Sequence, residues 1–133
     1  MSTEQDNFAG MTAEQKVKAL ILLSIRGDRA AVPPINKDNI DDTFSVYDYT
    51  DAANEVREGE CVTDCPPVFD RNFETKQVAA KLPDGSWVAW TYYYGGGKHA
   101  YADEVEWMSG AYNVTCTEEQ KMVTVRRFAK VGA

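Results

Sequence analysis

The first strong hydrophobic pattern in the chain has the period of a helix. Val17, Leu20 and Ile21 recur at helical spacing. The four residues 12–15, Thr-Ala-Glu-Gln, match a capping box, in which the first and last side chains each bond the other's backbone N–H. The pattern predicts a helix over residues 13–26. It is more apolar than a typical surface helix, so we expect it to pack across a sheet.

The middle of the chain leaves two interpretations open. The apolar positions within residues 38–50 fit a helix and a short strand equally well. After them, Thr50 suits a helix N-cap and Gly59 suits a helix stop. We therefore predict a helix over residues 51–58 and leave open whether it extends back to residue 38.

Farther along, the period changes to two, which is the period of strands. Residues 76–82 and 86–94 alternate, and Pro83-Asp84-Gly85 between them has the residues that a tight turn requires. This is the clearest hairpin in the sequence. Even-numbered and odd-numbered residues of its second strand are predicted to occupy opposite faces.

Shorter elements surround this hairpin. Residues 61–71 are predicted as a loop or an edge strand because they contain two adjacent prolines. Residues 103–108 fit one helical turn. A second hairpin is predicted from residues 112–117 and 121–130, joined by a turn at residues 118–120.

These elements predict one α+β domain. The N-terminal helices pack on a small antiparallel sheet that is built from two hairpins. The domain covers residues 12–133, and residues 1–11 are predicted to be a flexible tail.

Composition and charge narrow the class of protein. The chain has 133 residues, with 14 Lys and Arg against 21 Asp and Glu, a net charge of −7. Phosphate groups repel such a surface, so direct nucleic-acid binding is not expected. The longest apolar run, residues 19–23, is too short for a bilayer, and the polar first residues do not resemble an export signal. We therefore expect a cytosolic protein without membrane contact.

Most of the charge imbalance lies in one segment. Residues 38–60 contain eight acids and one base, Arg57, so this segment alone has a net charge of −7. If residues 48–58 were helical, Asp48, Asp51, Glu55 and Glu58 would share one face and could imitate nucleic-acid phosphates toward a basic partner. A solvated helix face is the alternative. The predicted partner surface combines acids with exposed aromatic anchors: Asp41, Asp42, Asp48, Asp51, Glu55, Glu58, Tyr47, Tyr49 and Trp107.

A glycine run provides the alternative site. Gly95, Gly96 and Gly97 precede Lys98 and His99, and backbone N–H groups of such a loop can hold an anion. Tyr92, Tyr94 and Trp107 would line this ligand site. The full phosphate-loop motif is missing, and no nucleophile elbow is present. We therefore predict no catalytic residues and favour a protein that is not an enzyme.

Three cysteines raise the question of metal or redox chemistry. Cys61 and Cys65 form a C-x3-C pair that, with Cys116 and the single histidine His99, would complete a Cys3His zinc set. Structural zinc sites usually have two tight pairs, and this chain has only one loose pair. An odd number of cysteines also fits free thiols in a reducing cytosol. We predict no metal and no cofactor, and the zinc set stays open.

The last third of the chain resembles a known group of proteins. Residues 90–99 (WTYYYGGGKH), 106–108 and 111–112 are similar to small uncharacterised accessory proteins of phages and prophages. The resemblance implies a small cytosolic protein that binds a host protein, such as an inhibitor of a defence system, and it carries over no site residues. The favoured function is thus an acidic binding protein that docks on and inhibits a basic, nucleic-acid-binding host protein. The alternatives are binding or turnover of a phosphorylated metabolite at the glycine loop, and a structural or assembly role.

Overall fold

In the part of the chain that the structure describes, three α-helices precede a four-stranded antiparallel sheet, which confirms the predicted α+β class. The computed structural model describes residues 5–27, 31–47, 49–96, 101–102, 105–118 and 124–131. The elements are α1 (Ala13–Ile25), α2 (Ile40–Val46), α3 (Thr50–Arg57), β1 (Cys61–Val62), β2 (Glu74–Lys81), β3 (Trp87–Tyr94), a 3-10 turn (Met108–Gly110) and β4 (Tyr112–Val114). None of the helices in these ranges has the length and apolar character that crossing a bilayer requires.

Helix α1 forms as predicted and lies at the centre of the domain. Its capping box is complete: the Gln15 backbone N–H donates to the Thr12 hydroxyl (3.2 Å), and the Thr12 backbone N–H donates to the Gln15 side chain (3.0 Å). Beyond its end, Gly27 adopts a left-handed φ of +87°. The helix contacts α2, α3, β3 and β4. This central position explains why it is more apolar than a surface helix.

The acidic segment folds as two helices. Residues 40–46 are helical, which decides between the two interpretations left open. Tyr47 then has an extended backbone (φ −102°, ψ 145°), so α2 and α3 are separate. Tyr49 occupies the N-cap position of α3, and Thr50 is already helical, so the prediction of Thr50 as the cap is wrong. One acidic row that runs through residue 48 into α3 does not form, and Asp48 itself lies outside the described residues.

Gly59 ends α3 and allows the chain to approach the sheet closely. Its φ is +75°, and a Cβ atom built there would lie 2.7 Å from the Cβ atom of Val78. Only glycine accommodates both conditions. The chain then enters β1, a two-residue edge strand that pairs with β2 through Cys61↔Ala79 and Val62↔Val78. Residues 63–71 form no strand, so the segment predicted as a loop or an edge strand contains both.

The first predicted hairpin is confirmed. β2 pairs with β3 from Glu74↔Tyr94 to Lys81↔Trp87. In the turn, the Leu82 N–H donates to the Ser86 carbonyl (2.9 Å), and Gly85 takes a positive φ. Val78 of β2 and Val88 and Trp90 of β3 belong to the hydrophobic core that α1 helps to build.

The second predicted hairpin is wrong. β4 pairs with β3 (Trp87↔Val114, Ala89↔Tyr112), and residues 124–131, most of its predicted partner, form no strand and are exposed throughout. Residues 119–123 lie outside the described part. The observed register places the Tyr112 ring beside the small Ala89, where its hydroxyl donates to the buried Gln77 side chain (2.6 Å). This bond satisfies a polar group that would otherwise be buried unpaired.

Residues 5–11 belong to the folded domain, contrary to the predicted flexible tail. Phe8 and Met11 are buried in the core. The Asp6 carboxylate accepts hydrogen bonds from the Arg26 guanidinium (2.9 Å) and from the Ile35 backbone N–H (2.9 Å). These contacts tie the start of the chain to the end of α1.

The helical turn predicted over residues 103–108 is confirmed only in part: Ala102 is in a 3-10 turn, the Val105 N–H donates to the Ala102 carbonyl (3.3 Å), and a second turn follows. This second 3-10 turn covers Met108–Gly110, and the Ala111 N–H donates to the Met108 carbonyl (3.1 Å). Residues 105–107 are not helical, and residues 103 and 104 lie outside the described part. Trp107 precedes the turn and packs against Trp90 in the core.

Candidate functional site

The exposed side of α3 carries a row of carboxylates, here called the acidic stripe: Asp51, Glu55 and Glu58. Their spacing of four and three residues places them on one side of the helix, about 5 Å apart along the axis. Glu58 keeps a helical backbone (φ −69°, ψ −20°), so the stripe continues past the end of α3. All three side chains are exposed, whereas Ala52 on the other side is buried.

The one base of this segment faces away from the stripe. The Arg57 guanidinium donates to the Tyr93 carbonyl (2.9 Å) and lies 4.9 Å from the centre of the Tyr92 ring. The Arg57 carbonyl accepts from the Trp90 indole N–H (2.8 Å). Arg57 therefore joins the end of α3 to β3, and its charge is held against the sheet.

The two acids of α2, Asp41 and Asp42, differ in their hydrogen-bond partners. The Lys18 ammonium donates to Asp41 (2.7 Å), and the Gln15 amide also donates to it (3.1 Å). These hydrogen bonds, that of Lys18 first, lower the pKa of Asp41 below its ordinary value. Asp41 thus has a compensating base, while the neighbouring Asp42 is exposed in the first turn of α2.

Among the predicted aromatic anchors, Trp107 is not available on the surface. It is only 8% exposed, and its ring centre lies 5.4 Å from that of Trp90. Tyr49 is half-buried and stacks on Phe44 with ring centres 4.0 Å apart. Tyr47 is half-buried as well, and its hydroxyl donates to the Ala31 carbonyl (3.4 Å). Both tyrosines come directly before α3 in the sequence, so they lie near the stripe along the chain. Both remain partly exposed and can contact a partner.

Only part of the alternative ligand site falls within the described residues. Gly95 and Gly96 are exposed, with φ values of +71° and +100°. Residues 97–99, which include Lys98 and His99, lie outside the described part, so the complete loop stays a prediction. Trp107, predicted to line the site, is buried against Trp90.

The two tyrosines of that site form a cluster with a lysine. Tyr92 and Tyr94 stack with ring centres 5.7 Å apart, and the Lys76 ammonium lies 5.3 and 5.5 Å from them. A cavity of about 520 Å³ is nearby, and among the predicted site residues that the structure describes, only Tyr94 lines it. Phe69, 93% exposed, borders the same cavity and was missed by sequence reasoning. The available signal was an apolar pair, Val68-Phe69, directly after two prolines.

The three cysteines come together at one cavity of about 420 Å³. Burial raises the pKa of the Cys61 thiol, and the negative charges of Glu60, Cys116 and Glu118 raise it further. Within the described ranges, no group of three His, Cys, Asp or Glu side chains is placed to hold a metal ion. His99, the fourth member of the predicted zinc set, lies outside those ranges.

Known proteins add no information on function. Comparison of the chain with protein-family models, with curated proteins and with solved structures finds no match. No activity, partner or cofactor therefore comes to this chain from a relative. The acidic stripe is the surface feature in which sequence and geometry agree best.

Proposed function

We propose that the protein is a small acidic binding protein without catalytic activity, which docks on a basic surface of a partner protein. Its contact surface is the acidic stripe, extended by Asp42 and by Tyr47 and Tyr49. One observation carries this proposal: the three stripe carboxylates face solvent while Arg57 is held on β3. The stripe thus lies on the surface, where a basic partner can reach it, and the guanidinium of Arg57 is held against the sheet.

The physical consequence of such a surface is fast and oriented association. Fixed charges of one sign attract a complementary surface and increase the association rate, especially at low ionic strength. Because the stripe lies on a helix, its carboxylates are held in place before binding, which lowers the entropic cost of complex formation. Aromatic side chains that become buried on docking then slow dissociation.

A nucleic-acid-binding protein is the proposed partner class. Its binding groove already accepts a row of negative charges, and the stripe presents carboxylates at regular intervals of about 5 Å. Occupying that groove would inhibit the partner. The resemblance of residues 90–99, 106–108 and 111–112 to phage and prophage accessory proteins supports a cytosolic setting with a host protein as the partner.

The test is a comparison between two variants with the same change in charge. Asp51→Lys with Glu55→Lys reverses the stripe, and Asp64→Lys with Glu118→Lys reverses two exposed acids outside α2 and α3. Each tagged protein is used to capture partners from nuclease-treated bacterial lysate, followed by a salt step and mass spectrometry. We expect one dominant basic protein that salt releases, that the stripe variant loses and that the control variant retains.

The captured protein is then tested as a purified component. Association rates at low salt should fall on the order of tenfold or more for the stripe variant. Duplex DNA should compete with the wild-type protein for the same partner. The proposal would be contradicted by a complex that salt, DNA and the stripe substitutions all leave unchanged. It would also be contradicted by equal losses of binding in both variants, because binding would then depend on the overall charge and not on the stripe.

A further inference from the structure

The sheet has a second covered face, opposite the helices. Ala79 and Ala89 are directly paired in β2 and β3, and both are buried. Their neighbours Val78 and Val88 face the helices, so the two alanines face the other way. Because alanine is small, the sheet has a shallow depression here.

The chain after β4 returns over this depression. The sheet order β1-β2-β3-β4 places β1 and β4 at opposite edges, about 14 Å apart at normal strand spacing. Residues 61–65 and 114–117 nevertheless line the same cavity, together with Ala79. The segment 115–117 must therefore cross the face of the sheet toward β1.

This crossing brings Cys116 toward Cys61. Both thiols are exposed, and both line the cavity. The Cys61 Sγ atom also lies 4.0 Å from the Ala79 carbonyl oxygen on the floor of the cavity. Cys61 comes from the edge strand β1, and Cys116 follows β4 by two residues.

The third thiol is placed differently. Cys65 is half-buried, whereas Cys61 and Cys116 are exposed. The Thr63 N–H donates to the Gln77 carbonyl (2.8 Å), so residues 61–63 remain extended along β2 and carry Cys65 away from Cys61. Cys61 and Cys116 are thus the two accessible thiols of the cavity.

We propose that Cys61 and Cys116 form a disulfide by exchange with a low-molecular-weight disulfide, and that the bond fixes the crossing segment over the sheet. This is a modification site that does not depend on the proposed partner-binding function. In a reducing cytosol the thiols are free, so the bond would form when the small-thiol pool becomes oxidised.

The exchange balances with one small disulfide. A protein thiolate attacks one sulfur of the small disulfide, which forms a mixed disulfide and releases one small thiol. The second protein thiolate attacks the protein sulfur of the mixed disulfide, which closes the Cys61–Cys116 bond and releases the second small thiol. Two protein thiols lose two electrons and two protons, and one small disulfide is reduced to two thiols.

The experiment equilibrates the full chain in glutathione buffers of increasing oxidised fraction, then blocks free thiols. Trypsin yields Cys61 and Cys65 in the peptide of residues 58–71 and Cys116 in that of residues 99–121. Additional cleavage before Asp64 separates Cys61 from Cys65. Mass spectrometry without reduction should find Cys61 linked to Cys116, and Cys65→Ser should preserve this link.

Two matched variants and one control complete the test. Cys61→Ser and Cys116→Ser should each abolish the internal bond and leave only mixed disulfides with glutathione. In denaturant the preference for Cys61–Cys116 should disappear, because the fold creates it. A wild-type protein that gives mainly another cysteine pair, or only mixed disulfides across the whole buffer series, would overturn the proposal.

Discussion

At the scale of single residues, Asp6 shows how one carboxylate fixes the start of the chain. The hydrogen bond from Arg26, more than any other cause, lowers the pKa of Asp6 below its ordinary 3.8, and the Ile35 N–H adds to the effect while burial opposes it. A carboxyl group whose pKa is lower in the folded state stabilises that state above its unfolded pKa. This stabilisation is lost as the pH falls below about 4 and through the folded pKa.

Replacing Asp6 with Asn should test this pH dependence. We expect Asp6→Asn to lower the free energy of unfolding by about 1–3 kcal/mol at neutral pH, because the charged hydrogen bonds to Arg26 are lost. The difference from wild type should shrink as the pH falls below about 4, since Asp6 then becomes protonated. Urea unfolding from neutral pH to below a pH of about 4 measures the free-energy difference between the variant and the wild type. The exposed Asp42→Asn serves as the control. A difference that is constant with pH would contradict the assignment.

Of the properties of the candidate site, only the charge and its spacing along the chain could be predicted from the sequence. The excess of acids in residues 38–60 is visible without a structure, and so is their spacing on α3. The orientation of Arg57 is not visible, because it depends on a carbonyl and a ring of β3, 35 or more residues later in the chain. Trp107 was expected on the surface for the same reason: its partner, Trp90, belongs to another element.

At the scale of elements, the attachment of α3 to β3 depends on Arg57. Its guanidinium bonds the Tyr93 carbonyl and lies 4.9 Å from the centre of the Tyr92 ring. However, its Nε atom is buried without a hydrogen-bond partner among the described residues, which offsets part of the gain. The net contribution of this side chain to stability is therefore modest.

The Arg57→Met variant should separate the contribution of the guanidinium to stability from that of the apolar part of the side chain. We expect the free energy of unfolding to fall by about 1 kcal/mol, because the Tyr93 carbonyl and the Tyr92 ring both lose the guanidinium while the apolar part of the side chain is kept. The neighbouring exposed Glu58→Gln should change stability by less than about 0.5 kcal/mol. Chemical unfolding followed by tryptophan fluorescence reports both. An Arg57→Met protein as stable as wild type would show that the contact to β3 does not hold α3.

Short sequence motifs predicted where helices and turns form better than they predicted which elements pack or pair with each other. The capping box of α1 and the Pro-Asp-Gly turn are contained in a few residues, and both form as predicted. The break between α2 and α3 has no glycine or proline to mark it, and the stacking of Tyr49 on Phe44 crosses it. In the pairing of β4 with β3, the Tyr112 hydroxyl reaches the Gln77 side chain, a contact that neighbouring residues in the sequence could not reveal.

At the scale of the whole molecule, the two ends of the chain differ in burial, and their composition does not reveal this difference. Residues 5–11 begin with three polar side chains and contain no long apolar run, yet Phe8 and Met11 are buried. Residues 124–131 include Val125, Phe128 and Val131, yet these are 72%, 90% and 92% exposed. Stability should therefore depend strongly on the first segment and weakly on the last.

Two truncations test this difference. Deleting residues 124–133 should change the free energy of unfolding by less than about 0.5 kcal/mol, since every described residue in that segment is exposed. Deleting residues 1–11 should cost about 2–5 kcal/mol or more, because two buried apolar side chains and the Asp6–Arg26 ion pair are lost. Urea unfolding at neutral pH compares both with the full chain, and circular dichroism confirms that each is folded before unfolding begins.

The C-terminal deletion also has an electrostatic consequence. It removes Arg126, Arg127 and Lys130, and residues 124–133 contain no acid. The remaining chain is more negative, so its association with a basic partner at low salt should become faster. A slower association with unchanged stability would mean that the basic segment itself contacts the partner. Loss of stability comparable to that of the N-terminal deletion would instead show that residues 124–131 pack on the domain in solution.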